Sequence, residues 1–348
     1  MDNRRLKKVL IIKPSSLGDI IHALPVANAL EEAVPGINID WAVFKAYEPV
    51  LAGHPAITNV IAFDRNRGGF RELSRFIRAL RAEEYDAVID LQGLLRSGLM
   101  TFFCRAGRKI GFENAREGAG FFYNEKIRVP EPDMHAVDRY LLTPDAFAVA
   151  APETPRFDIA VNGADLAEAV RILKGAGIDE GDDFAAIAPS ARWITKRWEA
   201  EKFARLASAL KERTGLKYIF IGSADEASVM SGLEDIVGRE SLAFGKTSLK
   251  GLAALLGKAR LMVTNDSGPM HVAAAMRTKV LAIFGPTVAR RTGPYGRGHR
   301  VITSGAACSP CLMRECPDKK HYMMCMKDIT VESVFRAAEE MLEEKNDK

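Results

Sequence analysis

No apolar run in the 348 residues approaches the roughly 20 needed to span a bilayer, so any membrane contact is expected at the surface only. There is no G-x-G-x-x-G turn and no P-loop, which counts against dinucleotide-dependent dehydrogenases and P-loop enzymes. There is no large excess of charge: 49 Lys and Arg stand against 45 Asp and Glu, a net of +4. Cysteine is scarce, five in all, and four fall together at Cys308, Cys311, Cys316 and Cys325. The apolar stretch before Lys13 is too short for a signal-peptide core, so the expected compartment is the cytoplasm, where such cysteines do not serve as structural disulfides. Internal repeats and low-complexity tracts are absent too.

What is present is an ordinary globular composition, 47% apolar and 27% charged, in a chain long enough for two domains. The first half alternates strand-like runs (8–12, 39–43, 59–62, 87–91) with helix-like runs (22–33, 70–83). In the latter, Phe70, Leu73, Ile77 and Leu80 recur at helical spacing, with arginines on another face. Between 65 and 81 six arginines are opposed only by Glu72, a local cationic patch suited to an acidic partner. The pattern weakens after Gly107, and 112–138 reads as loops and short pieces. Pro and Ala cluster near 144–155, and then the alternation resumes. Helix-like runs are 164–175, 200–213 and 331–344; buried-type strands are 185–188, 218–221, 261–264 and 280–284. The expected domains are 1–155 and 156–348.

Two loops carry the chemistry. Ser15-Ser16-Leu17-Gly18-Asp19-Ile20-Ile21-His22 leaves the first strand, and Asn265-Asp266-Ser267-Gly268-Pro269-Met270-His271 leaves a strand of the second half. Strand, small polar loop and helix start is the geometry that presents N–H groups to an anion, at the sheet edge where open α/β sheets bind ligands. Asp19 in such a place is either a general base for a hydroxyl or an N-cap bonding Ile21 or His22. The second loop suits a diphosphate, or is simply a capped helix. A third loop, 189–198, sets Ser190 and Lys196 beside Trp193 and Trp198. Lys196 there is a cation for phosphate or part of a solvated loop over packed tryptophans.

Taken together, 13–25, 86–93 (Asp-Ala-Val-Ile-Asp-Leu-Gln-Gly), Lys196-Arg197-Trp198, 265–271 and 284–287 make the chain resemble the lipopolysaccharide heptosyltransferases of glycosyltransferase family 9, over nearly its whole length. The resemblance implies a GT-B fold: two Rossmann-like α/β domains with parallel sheets facing a central cleft, acceptor on the first and nucleotide sugar on the second. It implies inverting transfer of heptose from ADP-heptose to the Kdo or heptose of the inner core. Asp19 then corresponds to the base. Ser190, Lys196, Thr247, Asp266, Ser267, Gly268 and His271 correspond to donor contacts, and Ser16, Arg67, Arg116, His135 and Arg139 to the acceptor side. The implied partners are ADP-heptose, an anionic lipid A–Kdo acceptor and the inner face of the inner membrane, with no nucleic acid. The 115–117 segment is similar to the Kdo-directed subfamily, the cysteine stretch to the heptose-directed one. The two other readings are a GT-B-like nucleotide-sugar epimerase or hydrolase, and a non-catalytic binder of anionic glycolipid.

No metal is required if Lys196 and the helix start neutralise the diphosphate. A Mg²⁺ carried by the phosphates stays open. The spacing Cys308-x₂-Cys311-x₄-Cys316-x₈-Cys325 supplies enough thiols for a structural Zn²⁺, although the longer gaps are not those of a zinc ribbon; reduced, unligated thiols are the other reading.

Overall fold

The computed structural model describes residues 6–344. The chain divides into two compact units, Met1–Ala160 and Val161–Lys348. Residues just past 155 belong with the first unit because Arg156 is tied there: its backbone carbonyl accepts from Asn28 and its guanidinium pairs with Glu32.

The first unit is built on a parallel sheet of β1 (Lys8–Ile12), β2 (Asn38–Phe44), β3 (Asn59–Phe63), β4 (Glu84–Asp90), β5 (Arg105–Phe112) and β6 (Glu125–Ile127). The spatial order is β3-β2-β1-β4-β5-β6, with Val9 of β1 facing Ile39 on one side and Ala87 on the other. Val9, Leu10, Ile11 and Ile12 are fully buried, as a strand covered on both faces requires. The order reverses between β1 and β4. Open α/β sheets bind ligands at such a reversal, outside the carboxyl ends of the two strands.

The second unit repeats the plan. Its strands are β7 (Phe184–Ala188), β8 (Lys217–Phe220), β9 (Leu261–Asn265), β10 (Lys279–Ile283) and β11 (Arg300–Ile302), all parallel, in the order β11-β10-β9-β7-β8. Here the switch lies between β7 and β9. The closing helix, Val331–Glu343, buries Val334, Phe335, Ala338 and Met341 in the core of this unit.

Three expectations change. The first helix runs Leu17–Ala33, so it starts five residues earlier than its apolar run suggests. The region past Gly107 holds β5 and β6; glycines and cations break up the apolar signal of β5, and β6 is only three residues long. In the helix Phe70–Ala82 the buried residues are Phe76 and Leu80, while Phe70 and Leu73 are exposed. Phe76 stacks near Phe63 (5.1 Å) and anchors the middle of that helix, which carries its first turn into solvent.

Candidate functional site

At the β1–β4 switch the chain leaves β1 through Lys13 and enters the helix at Leu17. Ser16, not Asp19, is the N-cap, and Asp19 is the third helical residue. The plainer expectation of Asp19 as the cap residue therefore shifts by one turn: Asp19 is the partner of the cap. Its Oδ2 accepts the Ser16 backbone N–H (3.0 Å) and the Ser16 hydroxyl (2.7 Å). A negative group in the first turn also suits the helix dipole. The other oxygen, Oδ1, lies 3.9 Å from the Lys13 ammonium, and the Asp19 side chain is 39% exposed. A carboxylate fixed by Ser16 at a sheet edge, with its side chain 39% exposed, can receive a proton from a ligand hydroxyl.

Lys13 is the residue that sequence reasoning passed over. It is buried, with Nζ donating to Tyr140 Oη (2.7 Å) and to the Leu91 carbonyl (3.2 Å). A cation with so little solvent persists only where partners replace the water. Those partners come from the residue just past β4 and from the short helix Ala136–Tyr140. The signal was available: a lysine ending an otherwise apolar strand.

The same helix brings two predicted acceptor residues to this place. His135 caps it, its Nδ1 accepting the Val137 N–H (3.2 Å), and its ring meets that of buried His22 at 5.1 Å. Arg139 lies over Phe112 (4.9 Å) and Tyr140 (5.4 Å), with Nε buried and making no hydrogen bond among the described residues. Buried donors are normally satisfied, so this one marks room for an acceptor group. Arg116 is exposed on the loop after β5, its backbone N–H bonded to the Gly93 carbonyl (2.8 Å) beside β4. Asp90, fully buried at the end of β4, fixes that loop. It accepts from Gln92 and Gly93 N–H and from Tyr123 Oη (2.6 Å). Burial pushes its carboxyl above the ordinary range, and those donors oppose the rise.

Arg67 is not part of this group. It sits after β3, highly exposed, 3.7 Å from Asp64. The arginine patch is therefore opposed by Asp64 as well as by Glu72, which pairs with Arg75 at 2.7 Å.

In the second unit the loops after β7 and β9 meet at their own switch. Lys196 Nζ donates to Asp266 Oδ2 at 2.6 Å, and Thr287 Oγ1, from the loop after β10, donates to the same oxygen at 2.6 Å. Lys196 also lies over the Trp193 ring (4.6 Å), with Arg314 on that ring as well (5.3 Å). Trp198 is buried and bonds Ile329 through its indole N–H (2.9 Å). Asn265, fully buried, knits the two loops: its Oδ1 accepts Trp198 N–H (3.0 Å) and its Nδ2 donates to the Pro189 carbonyl (2.8 Å).

Ser267 begins the helix Gly268–Ala275 without a side-chain cap; Pro269 has no N–H and the Met270 N–H bonds the Ser267 carbonyl (3.2 Å), so the helix start offers an anion its dipole and the Gly268 N–H. His271 is buried in that helix. Ser190 Oγ is buried just past β7 with no hydrogen bond among the described residues. Thr247 is half-buried ahead of Ser248, which caps the helix Leu249–Lys258; no hydrogen bond among the described residues ties it to Lys196, Asp266 or Thr287. Cation, helix start and hydroxyl are the groups that an anion site would use.

Of the two readings of Cys308, Cys311, Cys316 and Cys325, a tetrahedral metal site or unligated thiols, the structure does not present the first. Among the described residues no three His, Cys, Asp or Glu side chains are placed to hold a metal ion. Cys325 is buried beside Gly285, and burial, then the three other thiols, pushes its own thiol up to about 11. Cys316 accepts the Met323 N–H (3.4 Å), and Cys308 is exposed. The thiols are near enough to feel one another electrically and too differently placed to share an ion.

Comparison with known proteins adds three findings. The model of glycosyltransferase family 9 (heptosyltransferase) matches residues 73–322. Lipopolysaccharide heptosyltransferase 1 of Pseudomonas aeruginosa is 34% identical over 89% of this chain and 87% of its own length; lipooligosaccharide heptosyltransferase 2 of Campylobacter jejuni is 27% identical over 96% and 98%. Among solved structures, the E. coli heptosyltransferase WaaC with ADP superimposes with a TM-score of 0.75 and 26% identity, over 96% of this chain and 99% of that one.

Proposed function

The chain belongs to glycosyltransferase family 9, the heptosyltransferases, and from that premise we propose that it moves heptose, with inversion, from ADP-heptose to the Kdo–lipid A inner core of lipopolysaccharide. The higher identity to a heptosyltransferase 1 than to a heptosyltransferase 2 favours Kdo over heptose as the acceptor sugar. No helix among the described residues is long and apolar enough to cross a membrane, and work at the inner face of the inner membrane needs none.

The observation that carries the reading is the carboxylate of Asp19, held on one oxygen by Ser16 and placed at the carboxyl edge of β1. In the proposed step Asp19 takes the proton of the acceptor hydroxyl as that oxygen attacks the anomeric carbon. The C–O bond to the diphosphate breaks, and ADP leaves with the bonding pair. Charge growing on the diphosphate meets the start of the helix Gly268–Ala275 and the Lys196 ammonium. Asp266 holds that ammonium in position beforehand, so the cation need not be ordered when the donor arrives. Arg139, His135 and Arg116 offer the acceptor's carboxylate groups their donors. The chain's own cation and dipole answer the diphosphate, and a Mg²⁺ brought by the phosphates would add to them.

Replacing Asp19 with Asn tests this. Turnover should fall by about 10²–10⁴, the usual worth of a general base, while ADP affinity by calorimetry stays unchanged. Wild-type turnover in the variant would return Asp19 to a purely capping role.

A further inference from the structure

The helices Phe70–Ala82 and Leu95–Phe103 cover one face of the first unit's sheet, where Phe76 and Leu80 of one and Met100 of the other share a core with Leu10, Ile12 and Val88. The outer surface of the second helix is unusual. Ser97, Gly98, Met100 and Thr101 point inward, and Leu95, Leu99 and Phe102, spaced by four and three residues, are exposed. Gly98 is obligatory there, since a Cβ would sit 2.6 Å from the Phe122 ring. That contact draws the turn Ala119–Phe122 against the helix, and Phe121 at its tip is 91% exposed. Phe70, 86% exposed, and Leu73 extend the apolar surface onto the first helix. Large side chains left in water on adjoining elements mark an interaction surface.

The polar residues around it are nearly all of one sign. Arg71, Arg78 and Arg81 are exposed on the first helix and Arg96 on the second. Lys109 lies over the Phe102 ring at 5.8 Å. Of the acids, Asp64 and Glu72 pair with Arg67 and Arg75, Glu83 and Glu84 with Lys8 and Arg105, and Glu117 accepts the Leu95 N–H (3.3 Å). Apolar side chains bordered by mostly exposed cations fit the boundary of an anionic bilayer, with rings in the headgroup layer and arginines on lipid phosphates. A second copy of the chain fits badly, because the same face would set arginines against arginines.

We propose that this face docks the protein on an anionic membrane surface. The proposal rests on the acceptor being lipid-borne, and it gives that reading a geometry. The helix Leu95–Phe103 begins just past the carboxyl end of β4, whose Leu91 carbonyl receives Lys13 beside Asp19.

Vesicle flotation of the full chain, without substrates, tests it. Wild-type protein should float with vesicles of phosphatidylglycerol mixed with phosphatidylcholine, remain behind with phosphatidylcholine alone, and release as salt rises. Phe70→Ser with Phe121→Ser, and separately Arg71→Ser with Arg78→Ser, should each weaken partitioning about tenfold or more. The phenylalanine pair should leave kcat on a water-soluble, deacylated acceptor unchanged. Equal flotation on neutral and anionic vesicles, or none, overturns the proposal, and that wild-type comparison stands even if a variant misfolds. So does a concentration-dependent dimer lost on Phe121→Ser, which would assign the face to self-association. Vesicle binding without any transfer would instead sink only the proposed reaction.

Discussion

His54 shows how one buried ring makes stability depend on pH. Its Nδ1 accepts the Ala56 N–H (3.1 Å), so the neutral ring carries its proton on Nε2, which is buried without a hydrogen bond among the described residues. Burial pushes its pKa down to about 4; nearby Asp158 resists and Arg156 assists. The unfolded chain takes up a proton below about 6.5 and the folded one does not. The contribution is therefore fully present above pH 6.5 and is lost as pH falls toward 4, roughly 3 kcal/mol at the limit. His299, lowered mainly by burial, acts in the same direction. His54→Gln should flatten the fall in melting temperature across that window. Parallel wild-type and variant curves would show the ring is protonated in the fold. Other single residues were less legible than the loops that hold them. Asp19 and Asp266 stand out in the sequence as acids in strand-to-helix turns. Asn265 and Thr287 do not, because their roles depend on strands far away in the chain.

At the scale of elements, β5 shows why part of the first sheet was hidden. Its sequence, Arg-Ala-Gly-Arg-Lys-Ile-Gly-Phe, lacks the apolar run of a buried parallel strand, since its first half is only partly covered. Gly111 is there for space: a Cβ would lie 2.2 Å from the Tyr123 ring, whose hydroxyl bonds Asp90. Gly111→Ala must push that ring away and disturb the carboxylate that fixes the loop after β4. A loss of about 1–3 kcal/mol in urea unfolding is expected, with reduced turnover. An unchanged midpoint would mean that Tyr123 moves freely. The central strands, by contrast, are plain in the sequence because they are apolar on both faces. The outward Leu95, Leu99 and Phe102 were not, because periodicity identifies a face without saying which side meets water.

For the whole molecule, each unit carries several of its predicted residues at its own switch point, with Arg67 and Thr247 apart from them. Ser16, Asp19, His135 and Arg139 gather around β1 and β4, and Ser190, Lys196, Asp266 and Ser267 around β7 and β9. The doubly wound plan was legible from alternating strands and helices, and the sites from loops that leave strand ends. The cysteine spacing left a metal site and unligated thiols both open, because it counts thiols and says nothing of their directions. The central claim is inverting heptose transfer, and acceptor-dependent product analysis tests it most directly. Purified protein is given ADP-heptose with and without Kdo–lipid A, and the products are read by mass spectrometry and by the anomeric signal in NMR. The account predicts ADP release only when acceptor is present, with one heptose added in the configuration opposite to the donor's. Release of ADP or change of the sugar without acceptor, or a product of retained configuration, would contradict it.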